Sequence, residues 1–128
     1  MTTVTMNKIN LAQKLSLFDA YWKPHIVGEL NGQLVKLVKF KGAFTWHHHE
    51  DEDELFMVLK GRFRMDFRED EHAQAIWIEE GEMIIVPRGV EHCPVADEEA
   101  HVLLFEPAST LNTGNIENEF TVPDLKQI

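Results

Sequence analysis

The chain has little sulfur to crosslink: Cys93 is its single cysteine, so no disulfide can form within it and nothing demands an oxidising compartment. It also lacks any apolar run near the ~20 residues of a membrane helix. The longest runs are short, such as Met83 to Val86 and Val102 to Phe105. Residues 1–18 lack the charged start and continuous apolar stretch of a signal peptide. No Asn-x-Ser/Thr acceptor occurs. Basic charge is scarce too, with 12 Lys+Arg against 22 Asp+Glu and a formal net charge of -10 with His neutral. A generic nucleic-acid or anionic-membrane binder needs a basic face, so no nucleic acid and no membrane is expected as a partner. Together these absences predict a soluble cytoplasmic protein.

What is present is an ordinary globular composition: 128 residues, 44% hydrophobic and 27% charged. That length fits one domain able to bury about two-thirds of the unfolded surface. Residues 7–18 carry the one good helical pattern, with Leu11, Leu15 and Phe18 at i, i+4 and i+7 and Asn7 placed to cap it. Pro24 closes this N-terminal helical extension, residues 1–24. Beyond it, apolar runs alternate with turn residues. Asn31-Gly32 joins Ile26–Leu30 to Gln33–Phe40, a strong hairpin signal because both turn residues tolerate positive φ. Further strands are predicted at 44–49, 54–60, 62–67, 75–78, 82–86 and 100–106, the last preceded by a polar turn at Asp97-Glu98-Glu99. About eight short, closely spaced strands over residues 25–106 predict an antiparallel sandwich or barrel. Residues 107–128, broken by Pro107, Gly114 and Pro123, read as an extended tail.

The pattern in Glu54 to Lys60 bears on assembly. Phe56 and Val58 share one face, and Leu55, Met57 and Leu59 share the other. Both faces are apolar and both need cover. The helix or the tail supplies it, or a second copy does, and a homodimer is expected.

Seven histidines occur, three of them consecutive: His47, His48 and His49. In a strand, residues two apart point the same way at about 6.6 Å. His47 and His49 can then converge on one ion while His48 points away. The acidic run Glu50 to Glu54 follows, and Glu54 is in phase with Phe56 and Val58. Downstream, Pro87 ends a strand and Gly89 turns the chain back toward His92. Imidazole and carboxylate together suit transition metals, whereas Ca and Mg prefer all-oxygen shells.

These residues form two spaced motifs. The first is Gly42, His47, His49, Glu54 and Gly61; the second is Gly81, Pro87, Gly89 and His92. In this spacing the sequence resembles the cupin superfamily of small antiparallel barrels. It departs from the family pattern in two places: Gly42 stands one residue closer to His47, and Ala96 replaces the closing Asn. The resemblance implies an all-β cupin or jelly-roll barrel with a short N-terminal helix. It implies His47, His49, Glu54 and His92 as ligands of one divalent transition metal (Fe, Mn, Ni or Zn), with Glu52 and Asp53 as substitutes should the register differ. It also implies a small-molecule substrate and an enzyme of dioxygenase or isomerase type, the alternative being a non-catalytic module that binds a small molecule or sugar.

The remaining candidates have blander expected roles. His48 points outward, and the acidic run is a solvated loop that gathers cations. His101 is a core or interface residue and the leading candidate to stand behind a ligand. Tyr21 and Trp22 pack on the barrel or line its mouth, and Arg88 is an exposed turn residue or meets a substrate carboxylate. Cys93 is a buried, inert thiol. His25 and His72 have no evident partner.

Overall fold

Side chains that alternate between two faces do build strands here. In the computed structural model, which describes residues 3–128, one short helix precedes eight of them. They are α1 (Leu11–Leu15), β1 (His25–Leu30), β2 (Gln33–Ala43), β3 (Glu54–Lys60), β4 (Phe63–Glu69), β5 (His72–Ile78), β6 (Met83–Val86), β7 (Glu91–Pro107) and β8 (Lys126–Gln127). The helix is shorter than its pattern, and Asn10 rather than Asn7 caps it, its Oδ1 accepting from the Gln13 N–H at 3.0 Å. One turn suffices to deliver Leu15, while Phe18 reaches the same cluster from the chain beyond.

β7 organises the sheet. Its first part, Glu91–Val95, pairs with β4, its second part, from His101, pairs with β3, and β2 pairs along it from Val95 to Pro107. The polar triplet at 97–99 is therefore not a turn between strands. It is an irregularity within one long strand, opposite the register shift between Phe40 and Gly42. The strands form a path β5-β4-β7-β2-β1-β8, with β6 attached through β3. The result is an all-β, jelly-roll-like fold whose hydrogen bonding does not run round into a closed barrel.

Two other expectations change. Residues 44–49 form a loop, not a strand, meeting β7 through the bridge between His47 and His92 and the Phe44 N–H on the Pro94 carbonyl. The C-terminal residues are not a free extended tail either. Their turns are closed by their own side chains, as when Asn118 Oδ1 accepts from the Phe120 N–H at 2.9 Å. β8 then runs parallel beside β1.

The main core lies between the layers and includes Phe40, Phe56, Val58, Phe63, Met65 and Val102. Burying each such large side chain contributes about 1.5–3 kcal/mol. A second cluster lies outside, where Leu15 and Phe18 cover Val27 and Leu37, with Leu59 and Leu103 at its margin. The N-terminal segment thus covers part of the outer face of β3. On neighbouring β6, Met83 and Ile85 remain 53% and 54% exposed.

Gly61, between β3 and β4, has φ +78°, and a Cβ there would stand 2.9 Å from the Glu99 carbonyl oxygen. Backbone strain and a backbone collision then act together. Gly61→Ala should cost about 2 kcal/mol, read as a lower urea midpoint with unchanged m-value.

Candidate metal centre

The loop between β2 and β3 carries His47, His48 and His49, and each is tied to a different element. His47 exchanges two backbone hydrogen bonds with His92 of β7, at 3.0 and 2.9 Å. The His49 carbonyl accepts from the Gly89 N–H at 2.7 Å. His48 pairs with Asn115 of the C-terminal segment. The alternation expected of a strand survives in this loop: His47 and His49 are buried, and His48 is only half-buried. Glu54 opens β3 opposite Val86, and His92 lies in β7 opposite Phe67.

These placements bring the four motif residues together. His47, His49, Glu54 and His92 are all buried and each offers a donor atom within 4.8 Å of the others. Glu54 Oε1 stands 2.8 Å from His49 Nε2 and 3.2 Å from His92 Nε2. The other ring nitrogens of two histidines are fixed: His47 Nδ1 lies 2.8 Å from the Thr45 carbonyl and His92 Nδ1 2.8 Å from the Val90 carbonyl. A carbonyl only accepts, so these Nδ1 atoms carry hydrogen and each Nε2 keeps a lone pair. His49 differs, since its Nδ1 has no hydrogen-bond partner and the nearest carboxylate, Glu52 Oε1, is 4.0 Å away.

Whether these residues fit a metal is tested by their unsatisfied atoms. His49 Nε2, His92 Nε2 and Glu54 Oε1 are buried and none makes a hydrogen bond. Leaving a buried polar atom unpaired costs about 1–3 kcal/mol. A single cation would take up all three lone pairs at once. The imidazole and carboxylate donors suit a transition metal, so the site fits the group.

Sequence reasoning missed what stands behind Glu54. Lys36 of β2 and Glu106 of β7 form an ion pair at 2.7 Å with both side chains 1% exposed. Burial pushes the Glu54 carboxyl up, but the adjoining Glu106 carboxyl and the His49 and His92 imidazoles outweigh it and hold the group well below the usual range. Burial and the Glu54 charge push Glu106 well up, against the pull of Lys36. The signal was available: Lys36 is in phase with inward Val38 and Phe40, and Glu106 with inward Val102 and Leu104. Polar residues at inward positions mark a site.

A narrow cavity adjoins two of the four donors, His47 and Glu54. His47, Glu54, Glu106 and Asn112 contribute its polar lining, and Trp22, Phe40, Phe44, Phe56 and Leu104 much of its apolar wall. Trp22 both packs in the core and lines this cavity, whereas Tyr21 is exposed and donates to Glu99 at 2.8 Å. His101 bonds Glu99 at 2.7 Å on the outer face and does not stand behind a ligand. Its phase with Leu103 and Phe105 points it away from the interior. Arg88 is exposed beside Asp53, whose carboxylate accepts from the Arg88 N–H. His48 turns its ring to Glu50 and Glu91, His25 stacks on Phe18, His72 is exposed, and Cys93 is a buried free thiol.

Comparison with known proteins agrees with this fold. Residues 34–106 match the Cupin_2 family, described as a cupin domain. A solved cupin-2 domain containing protein from Shewanella frigidimarina is 43% identical, with a TM-score of 0.73, covering 77% of this chain and 93% of that one. The YdbB protein of Bacillus subtilis is 38% identical over 66 residues, 52% of this chain and 56% of the relative. An acireductone dioxygenase of Phaeosphaeria nodorum is 39% identical over 97 residues, 69% of this chain and 55% of the relative. The chain thus spans about half the length of these curated relatives.

The buried imidazoles make a pH prediction. Burial first, and then the neighbouring His92, lower the His47 pKa to about 4. The unfolded chain takes up that proton near pH 6.5 and the folded protein does not. Stability from this group is complete above pH 6.5 and is lost as pH falls toward 4, by at most about 3 kcal/mol. Urea titrations of chelator-treated protein should show this decline, and it should shrink in His47→Gln.

Proposed function

Because the chain belongs to the Cupin_2 family of cupin domains, we propose that it is a metal-dependent enzyme of dioxygenase type acting on a small organic molecule. One divalent transition metal (Fe, Mn, Ni or Zn) would be held by His47, His49, Glu54 and His92. The observation that carries this is the convergence of four buried donors, three with unpaired atoms, beside an apolar cavity. Its similarity to an acireductone dioxygenase over 69% of the chain supports oxygen chemistry over isomerisation.

The chain's own residues do the arranging. The Thr45 and Val90 carbonyls set the His47 and His92 rings with Nε2 inward. Glu54 supplies the negative charge that offsets a dication, and Lys36 with Glu106 holds that carboxylate from behind. Trp22, Phe40, Phe44 and Phe56 exclude water from the cavity and offer flat apolar surface to a substrate. A bound metal would supply Lewis acidity, and one that prefers six ligands would keep positions free beside the four protein donors.

We further propose one cupin unit over residues 25–106, between the helical extension 1–24 and the segment 107–128, working in the cytoplasm as a homodimer. Met83 and Ile85, exposed on an edge strand, support pairing there. Among the described residues no helix is long and apolar enough to cross a membrane.

Protein purified without chelator should contain about one transition metal ion per chain, and the His47→Ala/His49→Ala double variant should contain almost none. Oxygen uptake, screened against diketones, thiols and catechols, should be lost in His92→Ala. Full metal occupancy in the double variant would overturn the centre, and tight binding without turnover across the panel would favour a non-catalytic module. In sedimentation, Met83→Lys/Ile85→Lys should convert a dimer to monomers; a monomeric parent would exclude this interface.

A further inference from the structure

Resting on the metal centre just proposed, we infer that the C-terminal residues 109–115 are a strap that positions the histidine loop, fastening it at His48 and, through Ser109 and Glu52, behind His49. The first fastening is direct. Asn115 Oδ1 accepts from the His48 N–H at 2.8 Å, and the Asn115 N–H donates to the His48 carbonyl at 3.1 Å. Both backbone groups of the residue between two proposed ligands are thus held by one strap residue.

The approach is too close for any side chain. Gly114 has φ +56°, and a Cβ there would collide with the His48 carbonyl and stand 3.2 Å from His47 Cδ2. The strap is itself anchored. Thr113, fully buried, donates to the Ile116 carbonyl at 2.6 Å and lies 2.7 Å from Thr121 Oγ1. Asn112 bonds both the Phe120 carbonyl and the Val122 N–H.

The second fastening answers the odd histidine. His47 and His92 each have a carbonyl behind Nδ1, and His49 has none. Glu52 is the carboxylate held toward that nitrogen: Ser109 Oγ donates to its Oε2 at 2.9 Å, leaving Oε1 at 4.0 Å from His49 Nδ1. A movement of about 1 Å would bring that pair to hydrogen-bonding distance. Partners placed behind ligands typically govern metal affinity by 10–100-fold.

Co2+ titration of the full chain, followed by visible absorption, tests this. Asn115→Ala and Glu52→Ala should each weaken Co2+ binding about 10–100-fold and alter the spectrum of the loaded protein. Asn115→Asp, which keeps an acceptor oxygen, should restore both. Asp51→Asn, which removes a loop charge from an exposed residue, should match the parent. Variants with parent-like affinity and spectrum overturn the strap, as does a drop in melting temperature with an unchanged Co2+ spectrum. Should Asn115→Ala not fold, Ser109→Ala reads the same effect at the loop's other fastening. A parent that takes no Co2+ overturns the metal centre itself, a result distinct from a parent that binds it alongside unaffected variants.

Discussion

Backbone pairing along β7 is the constraint on which the rest depends. One 17-residue strand supplies hydrogen bonds to β2, β3 and β4, so two layers share a single spine. Near one end it carries His92, and near the other Glu106, which stands behind Glu54. The irregularity at residues 97–99 lets this strand serve both layers. The bridge from His92 to His47 then fixes the histidine loop to the same spine. Positions far apart in sequence therefore meet because they share a ladder.

A buried polar cluster works against the burial that stabilises the core. Three imidazoles and two carboxyls occupy space that Phe56, Leu104 and Phe44 surround with apolar surface. Charge there is kept low. Burial and the Glu54 charge push the Glu106 carboxyl up, burial lowers the His47 pKa to about 4, and Lys36 stands against Glu106 at 2.7 Å. The Lys36–Glu106 pair needs its partners intact, since a buried charge left alone costs about 3–5 kcal/mol. The lone pairs at its centre all face one point, where a single cation would take them up.

Much of this was legible in the order of residues, for a physical reason. Period-two alternation shows which side chains turn inward, and it identified most strands, the Asn31-Gly32 hairpin and the phase of Glu54. Motif spacing marked the four residues that converge. What alternation does not carry is tertiary. It made a strand of 44–49, because His47 and His49 share a side there as they would in a strand, although the loop is held by three different elements. It broke β7 at a polar triplet that the sheet absorbs as an irregularity. It left the C-terminal residues loose, since their order comes from Asn and Thr side chains bonding nearby backbone, which has no period. Lys36 and Glu106 were visible in principle as polar residues in inward phase, but their pairing depends on the β2–β7 register.

The acidic run shows how far a charge count can mislead. As sequence, Glu50 to Glu54 looks like a solvated face that gathers cations by its field alone. In the fold four of its five members are separately employed. Glu50 holds the His48 ring, Glu52 takes the Ser109 hydroxyl beside His49, Asp53 takes the Arg88 N–H, and Glu54 turns inward. An exposed carboxylate bonded to a fixed partner contributes little stability, about 0–1 kcal/mol. Several such bonds on successive residues of one loop do something else: they limit where the loop can lie. Surface charge here acts less as a field than as a set of tethers, and the loop they fix leads into the one carboxylate among the four donors.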